Sequence, residues 1–122
     1  MPVTSATIRS MHWSDVQRVA ALEQQLFPVD AWGPEAFWAE LALVPRTRCY
    51  IVAVDSDEQI VGYAGLFNAG SDADIQTVAV APDAQGRGIG RLLLRSLLDT
   101  ARSRGSSRVF LEVRSDNASA MG

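Results

Sequence analysis

The sequence is poor in the residues from which disulfides, metal centres and histidine-based catalytic triads are built. It has one cysteine, Cys49, and one histidine, His12. A single cysteine excludes an internal disulfide and admits a reducing compartment. Cys49 stands in the apolar stretch Cys49-Tyr50-Ile51-Val52-Ala53, where a small buried hydrophobe is a better reading than a reactive thiol. His12 leaves a Ser/His/Asp or Cys/His arrangement one candidate base and nothing to support it, so it is expected in a turn or at the surface. No His/Cys cluster has metal-ligand spacing, and no metal is expected.

Positive charge is also scarce. Eleven Lys and Arg against 14 Asp and Glu leave a net charge of −3, whereas a nucleic-acid partner calls for a clustered basic footprint. The nearest approach, Arg87, Arg91 and Arg95, is local. Mild acidity is compatible with a cationic substrate. Met1-Pro2-Val3-Thr4-Ser5 is not a basic segment leading into an apolar one, and no apolar run approaches membrane-spanning length. Neither nucleic acid nor membrane is expected as a partner, and the expected location is cytoplasmic. What is present is a globular composition, 48% hydrophobic and 20% charged over 122 residues, enough for one domain, 1–122, with its own core.

Periodicity places the elements. Residues 7–11 alternate as a short strand. Ser14 or Asp15 can cap a helix running to about Phe27, with Val16, Val19, Leu22 and Leu26 on one stripe. Pro28 ends it, and Pro34 suits the first turn of a second helix with Phe37, Trp38 and Leu41 on its apolar side. Residues 48–54 and 60–67 read as an antiparallel hairpin, with Gly62 and Gly65 as thin places. Residues 68–74 read as a loop and 75–80 as a third strand. A helix from about Gly88 to Arg104, closed by Gly105, then leads to a strand over 107–114. Strands on either side of one helix should be parallel, joined by a right-handed crossover. The fold expected is α/β with a mixed sheet.

Between the third strand and that helix lies Gln85-Gly86-Arg87-Gly88-Ile89-Gly90-Arg91. Glycine is unfavourable at a helix start, so three of them on alternate positions call for a reason. The first turn of a helix has N–H groups without intrahelical partners and the positive end of the macrodipole. Glycines there let an anion approach the backbone, and a phosphate or pyrophosphate is the natural guest. The alternative is a turn that merely needs positive φ. Two phosphate motifs fail. In G-x-G-x-x-G the third glycine would fall at Arg91, and no Gly-Lys-Ser/Thr follows for a P-loop.

Gln85-x-x-Gly88-x-Gly90, after a strand ending Thr77-Val78-Ala79-Val80-Ala81-Pro82 and before a leucine-rich helix, resembles the Q/R-x-x-G-x-G/A signature of the GCN5-related N-acetyltransferases (GNAT). The stretch 109–120, VFLEVRSDNASA, resembles the RimI-type N-terminal alanine acetyltransferases of that superfamily, as does 27–41, FPVDAWGPEAFWAEL, more loosely. The resemblance implies a mostly antiparallel mixed sheet flanked by helices, with a parallel strand–helix–strand unit for acetyl-CoA as cosubstrate. It also implies roles. The backbone of Val78, Ala79 and Val80 would pair with the pantetheine arm. Gln85, Gly86, Arg87, Gly88, Ile89, Gly90 and Arg91 would hold the pyrophosphate, and Asn117 would contact the cofactor. Glu112 would be the general base. Val78 and Val80 would pack in a core in any case, Asn117 serves equally as an N-cap, and Glu112 could be a solvated strand residue or a partner of Arg114.

The implied reaction is acetyl transfer to the free N-terminal α-amine of a protein, with alanine of a ribosomal protein as the acceptor. The alternatives are a lysine or small-amine acetyltransferase and a non-catalytic CoA-binding module; the loop around Trp32 would bear on the acceptor. An α-amine titrates near ~8 and a lysine near ~10.4, so neutralising them at pH 7 costs about 1 and about 4.6 kcal/mol. A carboxylate such as Glu112 can take the proton. In the family a tyrosine on a later helix is the general acid. Tyr50 and Tyr63 do not match it, and the sequence ends at Gly122 before that point. A chain shortened at the C-terminus, lacking the strands that would cover Phe110, Glu112 and Arg114, is therefore expected. The uncovered sheet edge would favour an oligomer or strand exchange.

Overall fold

The structure is a computed structural model and describes residues 6–111. Five strands form one sheet in the order β1 (Thr7–Ser10), β2 (Arg48–Val54), β3 (Ile60–Ala69), β4 (Asp72–Val80) and β5 (Arg108–Leu111). The first three pairings are antiparallel and β4–β5 is parallel. This is the mixed sheet expected, and the parallel pair is the one joined through a helix.

That helix, α3 (Ile89–Ser103), buries Ile89, Leu93, Leu97 and Ala101 in the core. Their spacing of four keeps them on one stripe, and they pack with Ile51, Ala64, Leu66, Ile75, Val78 and Val80 of the sheet. Each such aliphatic side chain contributes about 2 kcal/mol on burial. The opposite face is covered by α1 (Val16–Leu26) and α2 (Pro34–Leu41). There Val16, Val19, Ala20, Phe27 and Phe37 pack on Tyr50, Val52, Tyr63 and Ala79. The sheet is thus a middle layer, with odd and even positions of each strand serving two cores.

Three local expectations change. The α1 helix is entered through a 3₁₀ turn, Trp13–Asp15, with no side-chain cap on its own first turn. The Asp15 carboxylate instead accepts the His12 N–H at 2.8 Å and pairs with Arg9. Residues 68–74 are not a loop: β3 runs to Ala69 and β4 begins at Asp72, with Asn68 paired to Ala73 and Ala69 to Asp72. Asn68 is tolerated inside a strand because its side chain is satisfied: it donates to Ser106 Oγ at 2.7 Å and accepts from Arg104 Nη1 at 3.0 Å. Finally, α1 turns Glu23, not only its valines, into the core.

Candidate active site

Strand β4 is bordered by β3 along its length, while its described pairs with β5 run from Asp72↔Arg108 to Ile75↔Leu111. Just beyond, the β3 register passes from Leu66↔Ile75 to Gly65↔Thr77, so Gln76 is an extra residue in the strand. Such a bulge bends its strand and re-aims the side chains around it. Val78, Ala79 and Val80 follow, only 1%, 0% and 2% exposed as whole residues. Val78 and Val80 pack in the core against α3, and Ala79 packs in the core on the other face.

The chain leaves β4 through a 3₁₀ turn, Pro82–Ala84, and reaches Gln85 in extended conformation. The Gln85 amide turns back and donates to the Val80 carbonyl at 3.1 Å, bracing the turn against the strand it left. Gly86 and Gly88 have φ of +82° and +83°, and a Cβ on either would meet nothing within 4 Å. The left-handed backbone explains why these two positions are glycine, and the open space shows that no part of the described chain fills the turn. Gly90 is different, since it lies in the first turn of α3 itself. Leu92 is the residue whose N–H returns to Gly88 O, at 3.1 Å, so the N–H groups of Ile89, Gly90 and Arg91 precede the first complete helical turn. Arg87 and Arg91 are exposed beside them. The predicted residues 85–91 are therefore brought together as one open, electropositive turn at the end of β4. A diphosphate ester fits this geometry: donors, no Cβ wall and two guanidinium groups.

On the face covered by α1 and α2, a polar cluster adjoins the bulge. The Tyr50 hydroxyl donates to Gln76 Oε1 at 2.7 Å and lies 3.4 Å from Glu40 Oε1, and Glu40 also pairs with Arg48. Burial, then the nearby Glu40 charge, raise the Tyr50 hydroxyl far above its ordinary titration range, so it acts as a donor and not as a base. Further along, the Tyr63 hydroxyl donates to Glu23. Both tyrosines are thus engaged by acids or amides of the α1–α2 side.

Glu23 was not singled out by its sequence. It lies four residues after Val19 and seven after Val16, a signal that the α1 stripe continues through an acid. Glu112 and Asn117 lie outside the described residues. Cys49 is half-buried, with its thiol pushed up by burial. His12 lines a separate groove of about 690 Å³ with Met11, Trp13, Trp38 and Leu41, none of them part of β4 or the glycine turn. Among the described residues no three His, Cys, Asp or Glu side chains group as a metal site, and no helix is long and apolar enough to cross a membrane.

The model of the acetyltransferase (GNAT) family matches residues 13–122. The chain belongs to the GNAT family. Among its relatives is the N-alpha-acetyltransferase RimI of Mycobacterium tuberculosis, 44% identical over 120 residues, covering 94% of this chain and 72% of the relative. A ribosomal-protein-alanine N-acetyltransferase of Salmonella typhimurium is 30% identical over 117 residues, covering 94% and 74%. The crystal structure of the ribosomal-protein-S18-alanine N-acetyltransferase from Escherichia coli superposes with a TM-score of 0.79 at 27% identity, covering 95% of this chain and 72% of that one. A GNAT fold and RimI-type relatives make this chain an N-acetyltransferase. The glycine turn and β4 lie inside the matched segment.

Proposed function

We propose that this GNAT chain transfers an acetyl group from acetyl-CoA to the free N-terminal α-amine of a protein, with alanine of a ribosomal protein as the acceptor. The observation that carries the cosubstrate is the open turn formed by Gly86 and Gly88 at the N-terminus of α3. The acceptor is carried by likeness to the RimI enzymes and to the ribosomal-protein-alanine acetyltransferases.

In this reading the N–H groups of residues 86–91, with Arg87 and Arg91, hold the pyrophosphate. Gln85 keeps the turn in shape through Val80 O. The backbone of Val78, Ala79 and Val80 is the rail along which the pantetheine arm lies, and their buried side chains keep that rail rigid. Bound acetyl-CoA supplies an activated acyl group as its thioester. The chain's part is to hold that group against a neutral amine, where orientation alone accounts for much of the rate. Glu112 takes the amine proton, directly or through water, as the amide C–N bond forms and the thioester C–S bond breaks; CoA leaves as its thiolate and takes up a proton from solvent. Asn117 contacts the cofactor. An α-amine suits a single carboxylate base, since neutralising it at pH 7 costs about 1 kcal/mol against about 4.6 for lysine.

Turnover with two peptides tests the reading by mass spectrometry. One offers an N-terminal alanine and no lysine; the other has a blocked N-terminus and an internal lysine. Acetylation of the first alone is the expected result. Acetylation of the second alone, or of neither, would overturn the α-amine assignment.

A further inference from the structure

In the proposed function the acyl arm runs back along β4 from the glycine turn. Its pyrophosphate lies at residues 86–91 and its rail is Val80, Ala79 and Val78, so the thioester end falls toward Thr77 and Gln76, at the bulge. An arm that pairs with β4 as a further strand lies in the plane of the sheet, with its carbonyl groups close to that plane. An amine attacks a carbonyl carbon from above or below the carbonyl plane, where the orbitals align. One of these two sides is filled: Ile75, Val78 and Val80 pack with Ile89, Leu93 and Leu97 of α3 in a single core. The amine therefore comes from the side of α1 and α2.

Gln76 stands on that side. It is the extra residue of the bulge, half-buried, and its side chain meets the Tyr50 hydroxyl in the α1–α2 core. Its amide has a fixed sense. Burial keeps the Tyr50 hydroxyl protonated, and Glu40, its other polar neighbour, is engaged by Arg48. The hydroxyl proton therefore goes to Gln76 Oε1, at 2.7 Å, and Nε2 turns away from it. Among the described residues Nε2 has no acceptor, and no buried side-chain nitrogen or oxygen lacks a partner. Nε2 is thus an oriented donor that reaches solvent beside the end of the acyl arm.

We propose that Gln76 Nε2 donates a hydrogen bond to the first backbone carbonyl of the acceptor chain, with Tyr50 as the positioning residue that fixes the sense of the amide. This rests on the α-amine acetyltransferase reading and deepens it. An N-terminal amine and its first peptide carbonyl are separated by a single carbon. One donor beside the thioester can therefore hold the carbonyl while the amine meets the acyl carbon. A lysine amine has its nearest backbone carbonyl beyond a flexible four-carbon stem, and a simple amine has none. The contact thus selects for an α-amine at the head of a peptide.

The test is a cycle of two substrates against wild type, Gln76→Met and Tyr50→Phe. One substrate is an alanine peptide; the other carries a trans-alkene in place of its first peptide bond, which removes the carbonyl and keeps the shape. The alkene alters the basicity of the amine equally for every protein, so the peptide-to-analogue ratio of kcat/KM isolates the contact. Gln76→Met keeps the length of the side chain and removes its donor. It should lower kcat/KM on the peptide about tenfold. On the analogue, and in CoA affinity by calorimetry, its changes should stay within about threefold. Tyr50→Phe leaves the amide present and free to turn, so its ratio should fall between the other two. Tyr50→Phe reads the same ratio should Gln76→Met fail to fold, and a ratio equal to that of wild type there would overturn the role. Equal ratios in wild type and Gln76→Met, or a parallel loss of CoA affinity in Gln76→Met, would overturn it too, with the α-amine reading left standing. A wild-type protein that acetylates neither substrate would overturn the α-amine reading and this contact with it.

Discussion

The Tyr50 ring occupies the space that any side chain on Gly65 would need. The two residues face each other across β2 and β3, and a Cβ on Gly65 would lie 2.3 Å from Tyr50 Cε2. The glycine lets the ring lie against the strand, and the ring then carries its hydroxyl to Gln76 at the bulge. Gly65→Ala should therefore destabilise the fold by about 1–3 kcal/mol, the cost of overpacking a filled site. Urea unfolding measures it, and a neutral result would show that the ring can move aside freely.

Acid should expose the pairing of Arg9 with Asp15. The hydrogen bond from Arg9 is the largest cause that holds the Asp15 carboxyl below the usual carboxylate range, and the His12 N–H adds to it. A depressed carboxylate contributes stability that is complete above its unfolded pKa of about 3.9 and lost as pH falls through the lower folded value. Asp15→Asn should cost about 1 kcal/mol near neutral pH, a modest figure because Arg9 is partly solvated. That difference should shrink progressively below about pH 4, where wild type loses the same contribution. Urea melts across this range would record it, and a constant difference down to the most acid point would contradict the assignment.

Cys49 should behave as a core residue. Burial raises its thiol pKa, against a smaller opposing effect of a hydrogen bond with Thr100, so little thiolate exists at about pH 8. Alkylation followed by mass spectrometry should be slow in the native protein and fast in denaturant, with acetyl transfer unchanged in Cys49→Ala. Rapid native labelling with loss of turnover would give the thiol a catalytic part.

Glu112→Gln should leave CoA affinity intact and lower turnover by about 10²-fold where the amine is mostly protonated, with a smaller loss at high pH. The acceptor at high pH is already neutral and needs no base. Steady-state rates on the alanine peptide across pH test this, and a flat ratio of one removes Glu112 as the base.

Much of this was legible in the sequence because the strongest signals are periodic. The β-branched and aromatic run of β2 marks both its ends, and the spacing of four in α3 predicts its buried side. The glycine turn was legible through composition, although two separate reasons underlie it: left-handed backbone at Gly86 and Gly88, and a helical first turn at Gly90. The sharp β3–β4 connection was not legible. Asn68 and Asp72 carry turn propensity, and only the tertiary partners Arg104 and Ser106 reveal why Asn68 can sit in a strand. Glu23 was passed over for the same reason. A lone acid on an apolar stripe gives no hint of the tyrosine 40 residues away that makes its burial tolerable.

The measurement that bears most directly on the central claim is calorimetric titration of CoA into wild type, Gly88→Asn and Gly88→Asp. Asn and Asp share size and tolerance of left-handed backbone, so the two variants carry similar strain and differ by one negative charge. If the turn holds the pyrophosphate, Gly88→Asp should bind CoA at least about tenfold more weakly than Gly88→Asn, at equal melting temperatures. Equal affinities in the two variants, both matching wild type, would contradict the assignment of this turn as the phosphate site.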